Sequence, residues 1–164
     1  MRRWSSADVV KLALALLLGV VMLGGDAEAA DPRGSLEPLL KAADFESIGV
    51  KGVALAPPDA YDRVEQLGFE RASDSSMVVV LARLAPTEAG GTLRSVLQVI
   101  AKDVAPVSGV GDEAYSYLGG MAFAFRKGRA TFQLMSGIDM QNGAKPFLNK
   151  DQFVALAKTI SSRL

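Results

Sequence analysis

Two closely spaced turns in the second half of the chain constrain its fold more than any other sequence feature. The first is Gly119-Gly120, which separates residues 113–118 from residues 121–126. Glycine adopts the positive φ values that a tight hairpin turn requires. The second turn lies around Lys127-Gly128 and leads into residues 130–135. Together the two turns predict a three-stranded antiparallel meander.

The two turns independently place the same apolar residues on one face of this meander, because side chains alternate between the faces of a strand. The first hairpin puts Ser116 opposite Phe123, and the second puts Phe132 opposite Phe123. The shared apolar set is Ala114, Leu118, Met121, Phe123, Phe125, Phe132 and Leu134. Since both registers give the same buried face, they support each other and the meander as a whole.

The opposite face of the meander, called the tyrosine face below, is semi-polar. It carries Tyr115, Tyr117, Ala122, Ala124, Arg126, Thr131, Gln133 and Met135. One interpretation is a solvated face on which the tyrosine rings cover small residues. The other is a recognition surface, because tyrosine combines an apolar ring with a polar tip. Under that hypothesis the binding residues are Tyr115, Tyr117, Arg126, Thr131 and Gln133.

The basic hairpin tip beside this face has two interpretations as well. Arg126, Lys127 and Arg129 could add an anion contact to the recognition surface. They could also simply keep a sheet edge soluble, which is a common use of charged residues at such positions.

The stretch from Val107 to Tyr115, VSGVGDEAY, matches one spelling of the dinucleotide-binding fingerprint. That fingerprint works when a strand precedes the glycines and a helix follows them, so that the phosphates lie at the N-terminus of the helix. Here the predicted order is helix, glycines, strand, which predicts a link rather than a phosphate site. The adjacent Asp112 and Glu113 point to opposite faces of a strand, so we expect them to share no ligand directly.

Helical periodicity and capping residues predict two longer helices. Thr92 is the expected N-cap of an amphipathic helix over residues 93–104, and Asn149 with Gln152 forms a capping box for a C-terminal helix. The other predicted elements are helical turns within residues 35–49, a strand within 50–56, and a hairpin of residues 68–72 and 77–84. The result is an α+β domain in the order α-β-β-α-β-β-β-α, with helices packed on an antiparallel sheet of about five to six strands.

The first thirty residues have the features of a cleaved secretory signal peptide. Arg2, Arg3 and Lys11 supply positive charge, residues 12–23 are apolar, and the segment that ends at Ala30 offers small residues for cleavage. The apolar run is shorter than the roughly 20 residues that a membrane-spanning helix needs. We therefore expect residues 31–164 to form a single periplasmic or secreted domain with no stable membrane anchor after cleavage.

The composition excludes several kinds of chemistry. The 164-residue chain has no histidine and no cysteine, so it cannot build Ser-His-Asp or Cys-His triads, disulfides, or His- or Cys-ligated metal sites. Its 18 basic and 18 acidic residues give a formal net charge of zero, so no global field attracts nucleic acid. We expect no cofactor and no metal site, and we assign no catalytic residue.

Four segments carry a resemblance to known proteins, namely GVGDEAY at 109–115, AFAFRKGRATFQL at 122–134, LNKDQFVALAK at 148–158 before a terminal Arg-Leu, and PLLKAAD at 38–44 with Gly49 after it. They resemble small exported bacterial domains of unknown function, often lipoproteins or sensor-like extracellular modules, and residues 38–44 are similar to the opening helix of that group. The chain departs from that group in lacking the cysteines that many members carry for lipidation and for a disulfide. The resemblance implies an antiparallel sheet with helices packed on it, and it transfers no active site.

Two functional hypotheses remain at this stage. The first is a non-catalytic binding or accessory module that recognises a protein or envelope component through the tyrosine face. The alternative is a small-ligand sensor or a carboxylate-based hydrolase with a cleft between sheet and helix, which requires converging Asp, Glu, Lys or Tyr side chains. A self-associating structural protein is a third possibility, and the oligomeric state stays open.

Overall fold

The computed structural model describes residues 36–57, 65–84 and 92–164. The predicted signal peptide lies outside these ranges. Three helices are present in the described part: α1 (Ala42–Ser47), α2 (Leu93–Ile100) and α3 (Lys150–Ser162). None of these helices is long and apolar enough to cross a membrane.

Nine strands accompany the helices in the described ranges. They are β1 (Val53–Leu55), β2 (Gln66–Arg71), β3 (Ser76–Leu84), β4 (Ala105–Pro106), β5 (Glu113–Tyr117), β6 (Ala122–Lys127), β7 (Ala130–Ser136), β8 (Ile138–Asp139) and β9 (Lys145–Pro146). Seven form one sheet in the order β1-β2-β3-β7-β6-β5-β4, and β8 pairs with β9 separately. All neighbours in the large sheet are antiparallel. The predicted α+β class is confirmed, with slightly more strands than expected.

Strand β3 lies at the centre of the sheet, between β2 and β7. Its side chains from Val78 to Ala82 are buried on both faces of the sheet. A strand that is apolar on both faces needs a covering layer on each side, which an edge position would not provide. The two edges are instead formed by β1 and β4, which are only three and two residues long. Such short edges limit pairing with other chains.

The main core fills the face of the sheet on which α1 and α3 pack. Phe45 of α1 contacts Phe69 of β2, with ring centroids 4.9 Å apart. Phe153 of α3 stacks on Phe123 of β6, with centroids 6.0 Å apart and rings nearly parallel. Burial of each such ring stabilises the fold by about 1.5–3 kcal/mol before the entropy cost of ordering it.

The first hairpin of the meander has the predicted register. Ser116 lies opposite Phe123, as expected. The turn itself is longer than predicted, because the last pair of the ladder is Tyr117 with Ala122, so Leu118 and Met121 belong to the loop. Asp103 accepts hydrogen bonds from the backbone N–H groups of Leu118 and Gly119 and so fixes this loop.

The register predicted for the second hairpin is wrong by two residues. Phe132 lies opposite Phe125 rather than Phe123, because the turn consists of Gly128 and Arg129 instead of Lys127-Gly128. Gly128 has a φ of 59°, which suits the first position of this tight turn. A shift of two residues preserves the face of every strand side chain, so Ala114, Phe123, Phe125, Phe132 and Leu134 share the main core as predicted. Leu118, in the loop, packs instead against the opposite face.

The capping predictions are confirmed, whereas the helix ends differ. The Thr92 side chain accepts a hydrogen bond from the backbone N–H of Ser95, and Asn149 and Gln152 form the expected capping box. Helix α2 ends at Ile100 because Ala101 is already extended, four residues before the predicted end. In α3 the residues predicted to be buried are buried, except for the terminal Leu164, which is exposed.

The glycine-rich link lies between β4 and β5, so a strand rather than a helix follows it and the arrangement of a dinucleotide site is absent. The predicted order of helix, glycines and strand did not include the two-residue strand β4. Gly109 and Gly111 both have positive φ values, of 80° and 55°. A Cβ atom at Gly111 would lie 2.2 Å from the carbonyl oxygen of Arg126. That carbonyl accepts the backbone N–H of Asp112, so the link is tied to the end of β6.

We predict that Gly111→Ala destabilises the protein far more than Gly119→Ala. Both glycines have positive φ values, but a Cβ at Gly119 meets nothing within 4 Å. Gly119→Ala should therefore cost only the backbone strain, about 1 kcal/mol, whereas Gly111→Ala should cost more than about 3 kcal/mol. Urea unfolding of both variants measures this difference. Equal losses of unfolding free energy in the two variants would contradict the close approach of the Arg126 carbonyl oxygen to Gly111.

Candidate functional site

The tyrosine face continues beyond the meander into β3 and β2. Ala82 of β3 lies beside Gln133 of β7, and Gln66 of β2 lies beside Ala82. On the other side of Gln133 the same line continues through Ala124 to Tyr115. The face therefore spans five strands, and glutamine side chains alternate on it with alanines.

One end of this face is accessible and forms a polar corner made of Glu113, Tyr115, Arg126 and Thr131. The Arg126 Nε donates to Glu113 Oε1 at 2.8 Å, and the Tyr115 hydroxyl donates to Glu113 Oε2 at 3.3 Å. Thr131 lies directly opposite Arg126. The structure thus brings together three of the five predicted site residues, and Glu113 joins two of them.

Glu113 was not among the predicted site residues, although the sequence contained its signal. The register that places Ala114 opposite Phe125 also places Glu113 opposite Arg126, and opposite charges at such positions attract. Asp112 points away from this corner and accepts the backbone N–H of Gly128 at 2.7 Å. The two adjacent carboxylates therefore share no ligand, as expected.

The electrostatics of the corner keep the Tyr115 hydroxyl protonated. Burial raises the pKa of Tyr115, and the neighbouring Glu113 carboxylate raises it further. Arg94 of α2 and Arg126 act in the opposite direction. Tyr115 is consequently a neutral hydrogen-bond donor, and the corner contains charges of both signs.

The remaining two predicted site residues, Tyr117 and Gln133, are buried, which corrects the expectation that they form part of an open recognition surface. Tyr117 is 0% exposed and Gln133 is 1% exposed. Leu93 and Leu97 of α2 pack in one cluster with Tyr117, and Ala101, Ala122 and Ala124 complete the cluster. The physical reason is the apolar side of α2, which needs a surface to cover and finds it on the tyrosine ring and the alanines.

Some buried polar side-chain atoms of the tyrosine face lack a well-formed hydrogen bond. Within the described ranges, Gln66 Oε1 and Ser161 Oγ are buried and form neither a hydrogen bond nor an ion pair. Tyr117 Oη and Gln133 Nε2 have only each other as partners, in a hydrogen bond of poor geometry. An unpaired buried polar group costs about 1–3 kcal/mol, so Gln66 Oε1 lowers stability locally.

Burial also raises the pKa of the Tyr117 phenol, and a hydrogen bond from the Gln133 side chain opposes only part of this shift. Tyr117 is therefore neutral at ordinary pH. The polar groups on this covered part of the face, one phenol and the glutamine amides, carry no charge.

A cleft lies elsewhere, between the main-core side of the sheet and the start of α3. This cleft has a volume of about 410 Å³, and its lining includes Lys51, Arg71, Asp139, Asn142, Phe147 and Gln152. Most of its polar side chains belong to a cluster, called the Arg71 cluster below, that consists of Arg71, Asp74, Asp139, Gln141 and Asn142. Lys51 lies at the cleft and forms no hydrogen bond or ion pair with any residue in the described ranges.

Hydrogen bonds within the Arg71 cluster use its polar groups internally. Arg71 donates through Nε to Asp74 at 3.0 Å and through Nη1 to Asp139 at 3.2 Å, and its guanidinium lies 5.0 Å from the centre of the Phe147 ring. Asp139 also accepts the backbone N–H groups of Gln141 and Asn142, at 3.0 and 3.3 Å. This arrangement ties the β2–β3 turn to the loop between β8 and β9.

Both carboxylates of the cluster are held in the ionised form. Hydrogen bonds from Arg71 lower the pKa of Asp74, and hydrogen bonds led by that of the Asn142 side chain lower the pKa of Asp139. A general acid needs a raised pKa, so neither group suits that role. No group of three or more acidic residues in the described part of the chain is arranged to hold a metal ion.

No protein-family model, no curated protein and no solved structure matches the chain.

We predict that Asp139→Asn lowers stability at neutral pH and has little effect in acid. The lowered pKa of Asp139 means that its contribution is fully present above the ordinary value of 3.8 and is lost as the pH falls through the lowered value. Urea midpoints of the variant and the natural chain should therefore differ at pH 7 and converge at about pH 2. Glu37→Gln, at an exposed position, serves as the control and should leave the urea midpoint unchanged at both pH values. A difference that is equal at both pH values would contradict the assignment.

Proposed function

We propose that the protein is a non-catalytic binding or accessory module of the periplasm or of the secreted fraction, and that it recognises a protein or envelope component through the tyrosine face. The observation that carries this proposal is the polar corner, the part of the tyrosine face that stays accessible. It brings the Tyr115 ring and Thr131 beside the exposed Arg126. An aromatic ring with a polar tip beside an arginine offers a partner both apolar area and hydrogen bonds.

The polar corner is where a partner makes its first contact. Arg126 is exposed, and Tyr115 and Thr131 are half-buried beside it. Aromatic and arginine side chains are enriched in protein interfaces, because they combine apolar area with hydrogen bonding. The mixed charges of Glu113, Arg126 and Arg94 favour a partner with both signs of charge rather than a polyanion.

The cleft supports a small-ligand sensor as the second candidate. Its volume of about 410 Å³ is within the usual range for small-molecule sites, and Lys51 supplies an ammonium group without a partner in the described ranges. A carboxylate-based hydrolase is less well supported, because Asp74 and Asp139 have lowered pKa values and their oxygens already accept hydrogen bonds.

We predict that the double variant Tyr115→Ala/Arg126→Ala folds normally and loses its partner. The immobilised mature chain is incubated with an envelope extract, and the captured components are quantified by mass spectrometry. A component specific to the natural chain should fall at least about tenfold with the double variant, because loss of two interface anchors of about 1 kcal/mol or more each has that effect.

Two further variants make the capture experiment decisive. Lys158→Ala removes an exposed charge from α3, far from the tyrosine face, and should retain the partner. Lys51→Ala tests the cleft. If the double variant still captures the partner and Lys51→Ala does not, the binding site is the cleft and the assignment to the tyrosine face is wrong.

We predict that the mature protein begins at Asp31. Expression of the full chain in a bacterium and mass measurement of the protein from the periplasmic fraction or the medium tests this. Residues 12–23 supply the apolar segment that the export machinery recognises, and Ala30 ends a short run of small residues. A protein recovered from the cytoplasm with residues 1–30 intact would contradict export.

A further inference from the structure

The loop between β8 and β9 contains the dipeptide Asn142-Gly143, and both residues are exposed. In such a dipeptide the backbone nitrogen of the glycine can attack the side-chain carbonyl carbon of the asparagine, because glycine has no side chain to hinder the approach. The chain has one other asparagine, Asn149, which is followed by Lys150. The Asn142 side chain is therefore the amide of this protein that is most open to attack by its own backbone.

The surroundings of Gly143 leave its backbone nitrogen accessible. Its N–H forms no hydrogen bond with any residue in the described ranges. Gly143 has a φ of 86°, and a Cβ atom at this position would meet nothing within 4 Å, so the backbone is unobstructed here. Asn149 differs, because the next residue has a side chain and begins helix α3.

Asp139 holds the Asn142 amide in place. The Asn142 Nδ2 donates to Asp139 Oδ2 at 2.6 Å, and the Asn142 backbone N–H donates to Asp139 Oδ1 at 3.3 Å. Asp139 also accepts a hydrogen bond from Arg71 at 3.2 Å. Attack by the backbone expels Nδ2, so the bond from Nδ2 to the carboxylate is lost in the reaction. A hydrogen bond that exists only before the reaction slows it.

We propose that Asn142 is a site of spontaneous deamidation, and that its reaction uncouples the Arg71 cluster. This inference is independent of the proposed function. The backbone nitrogen of Gly143 gives its proton to hydroxide and forms a bond to the side-chain carbon of Asn142. The bond from that carbon to Nδ2 breaks, and the nitrogen takes a proton from water and leaves as ammonia. Water then opens the cyclic imide at either carbonyl carbon, which yields aspartate or isoaspartate without oxidation or reduction.

The modification replaces a hydrogen-bond donor with a charge of the same sign as its partner. Asp139 loses the Nδ2 donor and faces a second carboxylate, which repels it at neutral pH. Asn142 also lines the cleft that contains Lys51, so the cleft gains a negative charge. We therefore expect the loop between β8 and β9 to separate from the β2–β3 turn after the reaction.

The direct test is incubation of the folded mature chain in mildly alkaline buffer, followed by peptide mapping with tandem mass spectrometry. Residue 142 should gain the mass that exchange of an amide for a carboxyl group gives. An isoaspartate methyltransferase should add a methyl group at the same residue. Asn149, which caps α3, is the internal control and should stay unmodified. No mass gain at residue 142, or an equal gain at Asn149, would overturn the proposal.

Two variants test whether Asp139 slows the reaction. Asp139→Ala should accelerate deamidation of Asn142 by about tenfold or more, because it removes a hydrogen bond between the amide and a charged group. Asp151→Ala removes an exposed carboxylate from α3 and should leave the rate unchanged. The natural chain unfolded in urea gives the rate without any restraint, whether or not Asp139→Ala folds. If the folded natural chain reacts as fast as the unfolded one, Asp139 does not restrain Asn142.

The structural consequence is tested with the reaction product made directly by mutation. Asn142→Asp should lower the melting temperature at neutral pH by several degrees, because it places two carboxylates side by side. Asn142→Ala removes the donor without adding a charge and should lower the melting temperature less. If Asn142→Asp is as stable as the natural chain, deamidation does not uncouple the Arg71 cluster and that part of the proposal is wrong.

Discussion

The pairing of β3 with β7 is the interaction on which the rest of the structure depends. It joins the N-terminal strands to the C-terminal meander through six residue pairs, from Val79 with Ser136 to Leu84 with Thr131. Without this pairing the protein would consist of two small sheets, each too small to cover its own apolar face. With it, a single sheet presents one face to α1 and α3 and the other to α2. The same pairing fixes Ala82 beside Gln133 and so determines how the tyrosine face continues past the meander.

Short-range features of this fold could be predicted from the sequence, because local chemistry determines them. Thr92 and Asn149 cap helices wherever those helices pack, and Gly119-Gly120 bends the chain between two alternating segments. The second turn lies one residue later in the structure than predicted, because Gly128 serves equally well as the first or the second residue of a tight turn. The partner of β3 could not be predicted, because several strands had compatible apolar patterns. Strands of two residues, such as β4, carry too little pattern to detect.

In the candidate site, too, the features set by local sequence could be predicted and those set by long-range packing could not. Alternation along β5, β6 and β7 predicted which side chains share the tyrosine face, and the register implied the Glu113–Arg126 pair. The sequence did not reveal what covers that face. Helix α2 has an apolar side made of Leu93 and Leu97, and such a side packs equally well on either face of a sheet in the absence of long-range information. Which parts of the face stay accessible is therefore decided by tertiary packing alone.

The contrast between paired and unpaired polar groups is the most informative property of this molecule. In the Arg71 cluster, Asp139 accepts hydrogen bonds from Arg71 and from its own loop, which is how a buried polar network stabilises a fold. The tyrosine face differs, since Tyr117 and Gln133 are buried with only a poorly formed hydrogen bond to each other, although phenylalanine and leucine would fill the same space at lower cost. Local features that reduce stability are concentrated at functional sites. The tyrosine face is for that reason a better candidate for recognition than the cleft, most of whose polar groups are paired with one another.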